Sequence, residues 1–245
     1  MIPKILHYCW FGGKPLPKKA QKCFDSWSRF LPDYAIKRWD EANIDLSMND
    51  YTRFCYDHKL WAYLSDYIRI KAVESEGGLY FDTDVELIRR PDELMCEDAW
   101  FGWELSNWVA SGLGFGAKQG HEYLRAIIRE YESKSYAELS ESWTTFHSLT
   151  GCPRINTYPL LKHGLLQDGT LQRIKYPVHP NAEVYDEVVV LPAEYLCPLD
   201  DLTGELNITD KTLSIHWYTK SANGKYAYYK SRIMRIVRFI LKKIR

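Results

Sequence analysis

The run Gly77-Gly78-Leu79-Tyr80-Phe81-Asp82-Thr83-Asp84 constrains this chain more than any other stretch. The two glycines stop the segment before them, and Leu79-Tyr80-Phe81 then read as a short apolar, buried strand that resumes after the acids at Val85-Glu86-Leu87-Ile88. A buried strand that ends in two carboxylates needs a countercharge, because an unpaired charge away from water is costly. At a strand end or bend both acids can converge on one hard cation, and magnesium or manganese held with a diphosphate would supply that charge. D-x-D alone is a weak motif. Its position at the end of an apolar strand gives it weight.

The surrounding pattern alternates strands and helices. Ile2 to Phe11 reads as a first strand broken by Gly12-Gly13, residues 17 to 30 as a helix with Ala20, Cys23, Phe24 and Trp27 on one face, and Tyr34 to Trp39 as a second strand. Residues 59 to 76 read as a helix stopped by Gly77-Gly78. Further on the pattern predicts strand and loop from Trp100 to Ala117, helices over 120–132 and 155–171 with a break at Pro159, and strands at Val188 to Leu191 and Thr212 to Trp217. The expected fold is α/β with a mostly parallel central sheet, and its ligand site belongs at the carboxyl ends of the strands, where Asp82 and Asp84 fall.

With 46% apolar and 15% aromatic residues, the 245-residue chain is composed to fold rather than to stay disordered. Its six cysteines form no CxxC pair, which reads as reduced cytosolic thiols, and no window reaches the length of a membrane span. The N-terminus enters a strand without the apolar run of a signal peptide, so the expected location is cytoplasmic. The net charge of zero conceals a segregation: residues 225 to 245 carry eight basic residues and no acid, leaving 24 basic against 32 acidic residues elsewhere. Within 230–245, Ile233, Ile236, Val237, Ile240, Leu241 and Ile244 follow helical spacing opposite Arg235, Arg238, Lys242, Lys243 and Arg245. We therefore read 1–225 as one folded domain and 226–245 as a basic amphipathic helix. Its expected partner is an anionic membrane surface, a docked terminal helix being the alternative. Nucleic acid is not expected, since nothing else offers a basic surface with stacking positions.

Upstream of the acidic pair, Ser65-Asp66-Tyr67-Ile68-Arg69 sets Asp66 and Arg69 at i and i+3 on one helix face. They form either a surface ion pair or a sugar-binding pair, in which the carboxylate accepts from hydroxyls and the guanidinium donates to hydroxyl or phosphate oxygens. Taken together, Ser65-Asp66-x-x-Arg69 and Gly77-Gly78-x-Tyr80-x-Asp82-x-Asp84 resemble the core of the DXD-containing sugar-binding glycosyltransferases (family 32-like). That group includes capsular and lipopolysaccharide transferases, yeast initiating mannosyltransferase-like enzymes and the glucosylating domain of clostridial toxins. The opening Ile2 to Gly13 and the late Ser214-Ile215-His216-Trp217 look like parts of the same pattern.

The resemblance implies a GT-A (Rossmann-like) fold, a nucleotide-diphosphate sugar donor with UDP the expected nucleotide, Mn²⁺ or Mg²⁺, and transfer of a hexose with retention. It implies that Trp10 stacks on the base, that Ser65, Asp66 and Arg69 hold the sugar, and that Tyr80 lines the nucleotide pocket. Asp82 is expected on ribose and metal-bound water, Asp84 directly on the metal, and His216 as a late metal ligand. Core packing for Trp10 and a buried structural role for His216 are the alternatives. Ser221 occupies the place of a late donor contact, but Ala222 follows it where the family often has tryptophan. The implied setting is capsule or lipopolysaccharide synthesis on a glycan or lipid-linked acceptor, at the inner face of the plasma membrane. A catalytically silent nucleotide-sugar-binding module and a metal-dependent nucleotidyltransferase are the rival readings.

Overall fold

The computed structural model describes residues 1–179 and 182–219. In chain order its elements are β1 (Ile5–Cys9), α1 (Lys18–Phe30), β2 (Ala35–Trp39), α2 (Asp50–Asp57), α3 (Trp61–Glu76), β3 (Gly78–Tyr80), β4 (Val85–Leu87), β5 (Ala99–Gly102), β6 (Phe115–Ala117), α4 (Glu122–Glu132), α5 (Tyr136–Ser140), α6 (Trp143–Thr150), α7 (Cys152–Leu161), β7 (Gln172–Pro177), β8 (Tyr185–Leu191), α8 (Ala193–Leu196) and β9 (Ser214–His216). Seven strands form one sheet in the order β2-β1-β3-β6-β5-β8-β7, and β4 pairs with β9 in a separate ribbon. The sheet is mixed: β2, β1, β3, β5 and β8 run one way, while β6 and the edge strand β7 run against them.

Strand residues alternate between two apolar cores, as the two-residue period of a pleated strand requires. Tyr80, Ala99, Phe101, Val188 and Val190 enter one core, while Leu79, Phe81, Trp100, Val189 and Leu191 enter the other. The first core is closed by α2, α3, α4 and α7 through residues such as Tyr51, Leu64, Leu124 and Ile155. The second is closed by α1 through Cys23 and Trp27, by α8 through Leu196, and by the β4–β9 ribbon through Val85 and Leu87. The result is a sheet sandwiched between two layers.

Two local rules aim the acidic pair. Gly77 ends α3 with its N–H on the Val73 carbonyl (2.8 Å) and a φ of +68°, a conformation that L side chains rarely adopt. After Phe81 the chain leaves the sheet through a turn closed by Val85 N–H on the Asp82 carbonyl (2.9 Å), and then enters β4. Asp82 and Asp84 therefore sit in a tight turn at the carboxyl edge of β3, not within a strand.

Several sequence expectations need correction. The helix expected over 155–171 is α7, which starts at Cys152, runs through Pro159 and stops at Leu161, and residues 172–177 form the edge strand β7. The short helices α2, α5 and α6 were not anticipated. Ser221 and the proposed helix 226–245, together with the domain boundary before it, lie outside the described residues. Among the described residues no helix is long and apolar enough to cross a membrane.

Candidate active site

Three side chains converge at the turn after β3. Ligand atoms of Asp82, Asp84 and His216 all lie within 4.8 Å of one another. The β4–β9 ribbon makes this possible: its antiparallel register sets Val85 opposite His216 and Leu87 opposite Ser214, and Trp217 N–H adds a bond to the Asp84 carbonyl at 2.9 Å. His216 Nε2 lies 3.1 Å from Asp84 Oδ1, while Asp84 Oδ2 accepts from the backbone N–H (2.7 Å) and the hydroxyl (3.0 Å) of Thr219.

Electrostatics match that geometry. Burial works to raise the Asp84 carboxyl, but His216 and the Thr219 donors outweigh it and hold the group below the usual carboxylate range. Burial likewise works to lower His216, and the Asp84 charge outweighs it, so the imidazole is raised from its ordinary value. Among the described residues the buried His216 Nδ1 has no hydrogen-bond partner. Two carboxylates and an imidazole with an orphaned ring nitrogen suit a divalent ion, and the three side chains form a candidate divalent-metal site.

The α3 residues join from the other side. Arg69 is 4% exposed, and its guanidinium lies 2.7 Å from Asp66 Oδ1 and 3.4 Å from Asp82 Oδ1, with Nε donating to the Ser65 carbonyl at 3.2 Å. It also lies over the Tyr80 ring at 5.1 Å. Tyr80 donates its hydroxyl to Asp82 Oδ1 at 2.7 Å. Arg69 thus links the helix carboxylate to the strand-end carboxylate, and the surface ion pair considered from sequence is in fact a buried network. Burial, opposed by Arg69, pushes the Asp66 carboxyl up to about 7.

Ser65 gives its hydroxyl to the Trp61 carbonyl of its own helix at 2.9 Å. Trp10 follows β1, donates its indole N–H to the Lys14 carbonyl at 2.6 Å and packs half-buried against the second core.

Several participants carried no signal in the sequence. The short 3₁₀ turn Ser111–Leu113 between β5 and β6 presses its backbone onto the charged network: a methyl on Gly112 would meet Arg69 Nη1 at 2.9 Å and Asp82 Oδ2 at 3.1 Å. That turn is anchored by Ser111 N–H on Asn156 Oδ1 (2.9 Å), and the Ser111 hydroxyl meets the Cys152 thiol at 3.3 Å. Beside Asp84, a cavity of about 410 Å³ is lined by Lys18, Lys19, Lys22, Trp217 and Thr219 among others. Lys22 lies 4.9 Å from the Trp217 ring and pairs with Glu86 at 2.8 Å. Glu104, just past β5, is raised by burial against the pull of His216.

Residues 17–101 match the family model described as "Glycosyltransferase sugar-binding region containing DXD motif". That interval holds every α3 and β3 residue of the network and excludes His216. No curated protein matches the sequence. Among solved structures, the PaToxG glycosyltransferase is similar at a TM-score of 0.50 and 13% identity, over 66% of this chain and 68% of that one. A glycosyltransferase involved in glycosylation of the major capsid of PBCV-1 aligns at a TM-score of 0.46 and 14% identity, over 96% of this chain and all of that one. At 13% identity the PaToxG likeness speaks to fold alone: α/β with a mixed seven-stranded sheet, as in the GT-A glycosyltransferases.

Proposed function

We propose that this chain, which carries the DXD-containing glycosyltransferase sugar-binding region over residues 17–101, is a metal-dependent hexosyltransferase using a nucleotide-diphosphate sugar. The observation that carries the reading is the convergence of Asp82, Asp84 and His216 within 4.8 Å, linked through Arg69 to Asp66. Breaking an anomeric C–O bond builds positive charge on the sugar and negative charge on the departing diphosphate. A divalent ion, Mn²⁺ or Mg²⁺ by the donor set, would supply Lewis-acid stabilisation of that leaving group.

The chain's own residues do the rest. Asp84 and His216 hold their mutual orientation through the ribbon, with Thr219 fixing the second Asp84 oxygen. Tyr80 and Arg69 fix the Asp82 carboxylate, which leaves its second oxygen for the donor. Asp66 accepts from sugar hydroxyls, and Arg69, already immobilised, donates without losing rotamer freedom at the moment of binding. Trp10 and Ser65 belong to the donor side by resemblance, as does Ser221. Retention, a UDP donor, an acceptor in capsule or lipopolysaccharide synthesis and a peripheral place on the inner face of the plasma membrane through residues 230–245 are supported by resemblance and by the basic composition of that segment.

The deciding experiment is donor hydrolysis. Incubated with a panel of nucleotide sugars and Mn²⁺ or Mg²⁺, the protein should release free sugar and nucleoside diphosphate slowly, and excess chelator should stop it. Nucleoside monophosphate as product would mark a nucleotidyltransferase, and tight nucleotide binding without any product a silent binding module.

A further inference from the structure

Beyond Asp66, α3 and α6 share an aromatic face that the donor chemistry leaves unused. Trp143, the first residue of α6, is 57% exposed. It is nevertheless held in place. Its ring lies nearly parallel to the buried Phe146 ring (5.4 Å, 13°) and edge-on to His147 at 4.2 Å. Ser142 caps the helix by accepting from Thr145 N–H at 3.0 Å, fixing the turn that carries the indole. Tyr63 of α3 stands edge-on to Trp143 at 6.2 Å, and its hydroxyl pairs with His147 Nδ1 at 2.7 Å.

This is an aromatic floor with a hydroxyl and an imidazole at its rim. Such a surface meets the C–H face of a pyranose ring, and the rim groups serve its hydroxyls. None of these side chains bears a fixed charge, so the face suits a neutral sugar better than a phosphate.

Two independent routes lead from the floor to the donor pocket. Tyr63 and Asp66 are i and i+3 on α3, hence on one side of the helix and separated by about 4.5 Å of rise. The eight residues of α6 span about 12 Å, and two residues past its end the Cys152 thiol faces the Asp66 carboxylate. We propose that Trp143, Tyr63 and His147 form an acceptor-side platform for a neutral hexopyranose unit of a glycan, one or two sugars from the unit that receives the transferred hexose. The proposal rests on the reading above that Asp66 faces the donor sugar.

Saturation-transfer NMR with maltose, lactose and cellobiose as probes, with and without UDP and Mg²⁺, tests it on the full chain. At least one disaccharide should be saturated by the wild type, with the signal falling at least five-fold in Trp143→Ala and largely kept in Trp143→Phe. Absence of binding to the wild type, or an unchanged signal in Trp143→Ala, overturns the platform. Should Trp143→Ala melt before measurement, His147→Ala decides by the same criterion, a full signal counting against. Donor hydrolysis run in parallel should agree within two-fold between wild type and Trp143→Ala. Loss of hydrolysis in the wild type would strike the donor reading and leave the sugar result to stand or fall by itself.

Discussion

At the scale of single residues the site is a set of charges that hold one another in place. Asp84→Ala removes the carboxylate that orients His216, and donor turnover should fall at least 100-fold while the melting temperature stays near wild type. Isothermal titration with Mn²⁺ should show the metal site lost as well. Gly112→Ala forces a methyl into Arg69 and Asp82, whose positions are already fixed by four other contacts. Overpacking of this kind costs about 1–3 kcal/mol, measurable by urea unfolding, and hydrolysis should drop by a larger factor than stability explains. Asp66 gives a pH signature. Its native carboxyl sits near 7 against about 4 in the unfolded chain, so the folded state holds the proton more tightly. Its contribution to stability is full below about pH 4 and is lost as pH rises to about 7. Asp66→Asn should abolish that decline, and the wild type's unfolding free energy should fall relative to the variant between pH 5 and 7.5. The contiguous motifs Ser65 to Arg69 and Gly77 to Asp84 were legible because their chemistry lies in adjacent letters. Gly112, Cys152, Asn156 and Thr219 were not: Gly112 and Thr219 come in on turn and loop segments without periodicity, and Cys152 and Asn156 on a helix whose start the sequence did not mark.

At the scale of elements the decisive piece is the β4–β9 ribbon. Ile215→Pro would remove a ladder donor opposite Glu86 and pull His216 from Asp84, leaving the seven-stranded sheet intact. Far-ultraviolet circular dichroism should change little while Mn²⁺ affinity drops at least ten-fold. Element reading from sequence succeeded for β1, α1, β2, α3 and α4, whose apolar periods or glycine stops are long enough to register. It missed short helices for which a capping signal was present: Ser135 and Glu138 form a capping box at the start of α5, and Asn49 caps α2 by accepting from Thr52 N–H. The strand β7 went unread because it is an edge strand with alternate residues exposed, and its predecessor looked helical up to Pro159 and beyond.

At the scale of the whole molecule, the expected mostly parallel α/β architecture holds in strand direction for five of seven strands, and the antiparallel β6 was invisible because three residues carry no orientation. Removing residues 230–245 should leave hydrolysis of a soluble donor within two-fold of wild type. Sedimentation with anionic vesicles should fall sharply, since each basic residue near such a surface contributes about 1 kcal/mol, and added salt should have the same effect. Equal sedimentation of both forms would remove the membrane proposal. The ribbon also has a consequence in time. His216 is encoded 132 positions after Asp84, and the family-matched interval ends at residue 101. A nascent chain emerging from the ribosome therefore displays both carboxylates long before their imidazole partner has been translated. Stalled or clipped products that stop short of β9 would carry the recognisable signature and yet lack the imidazole that completes the candidate metal site, so on the proposed reading the site is whole only once synthesis has passed residue 216.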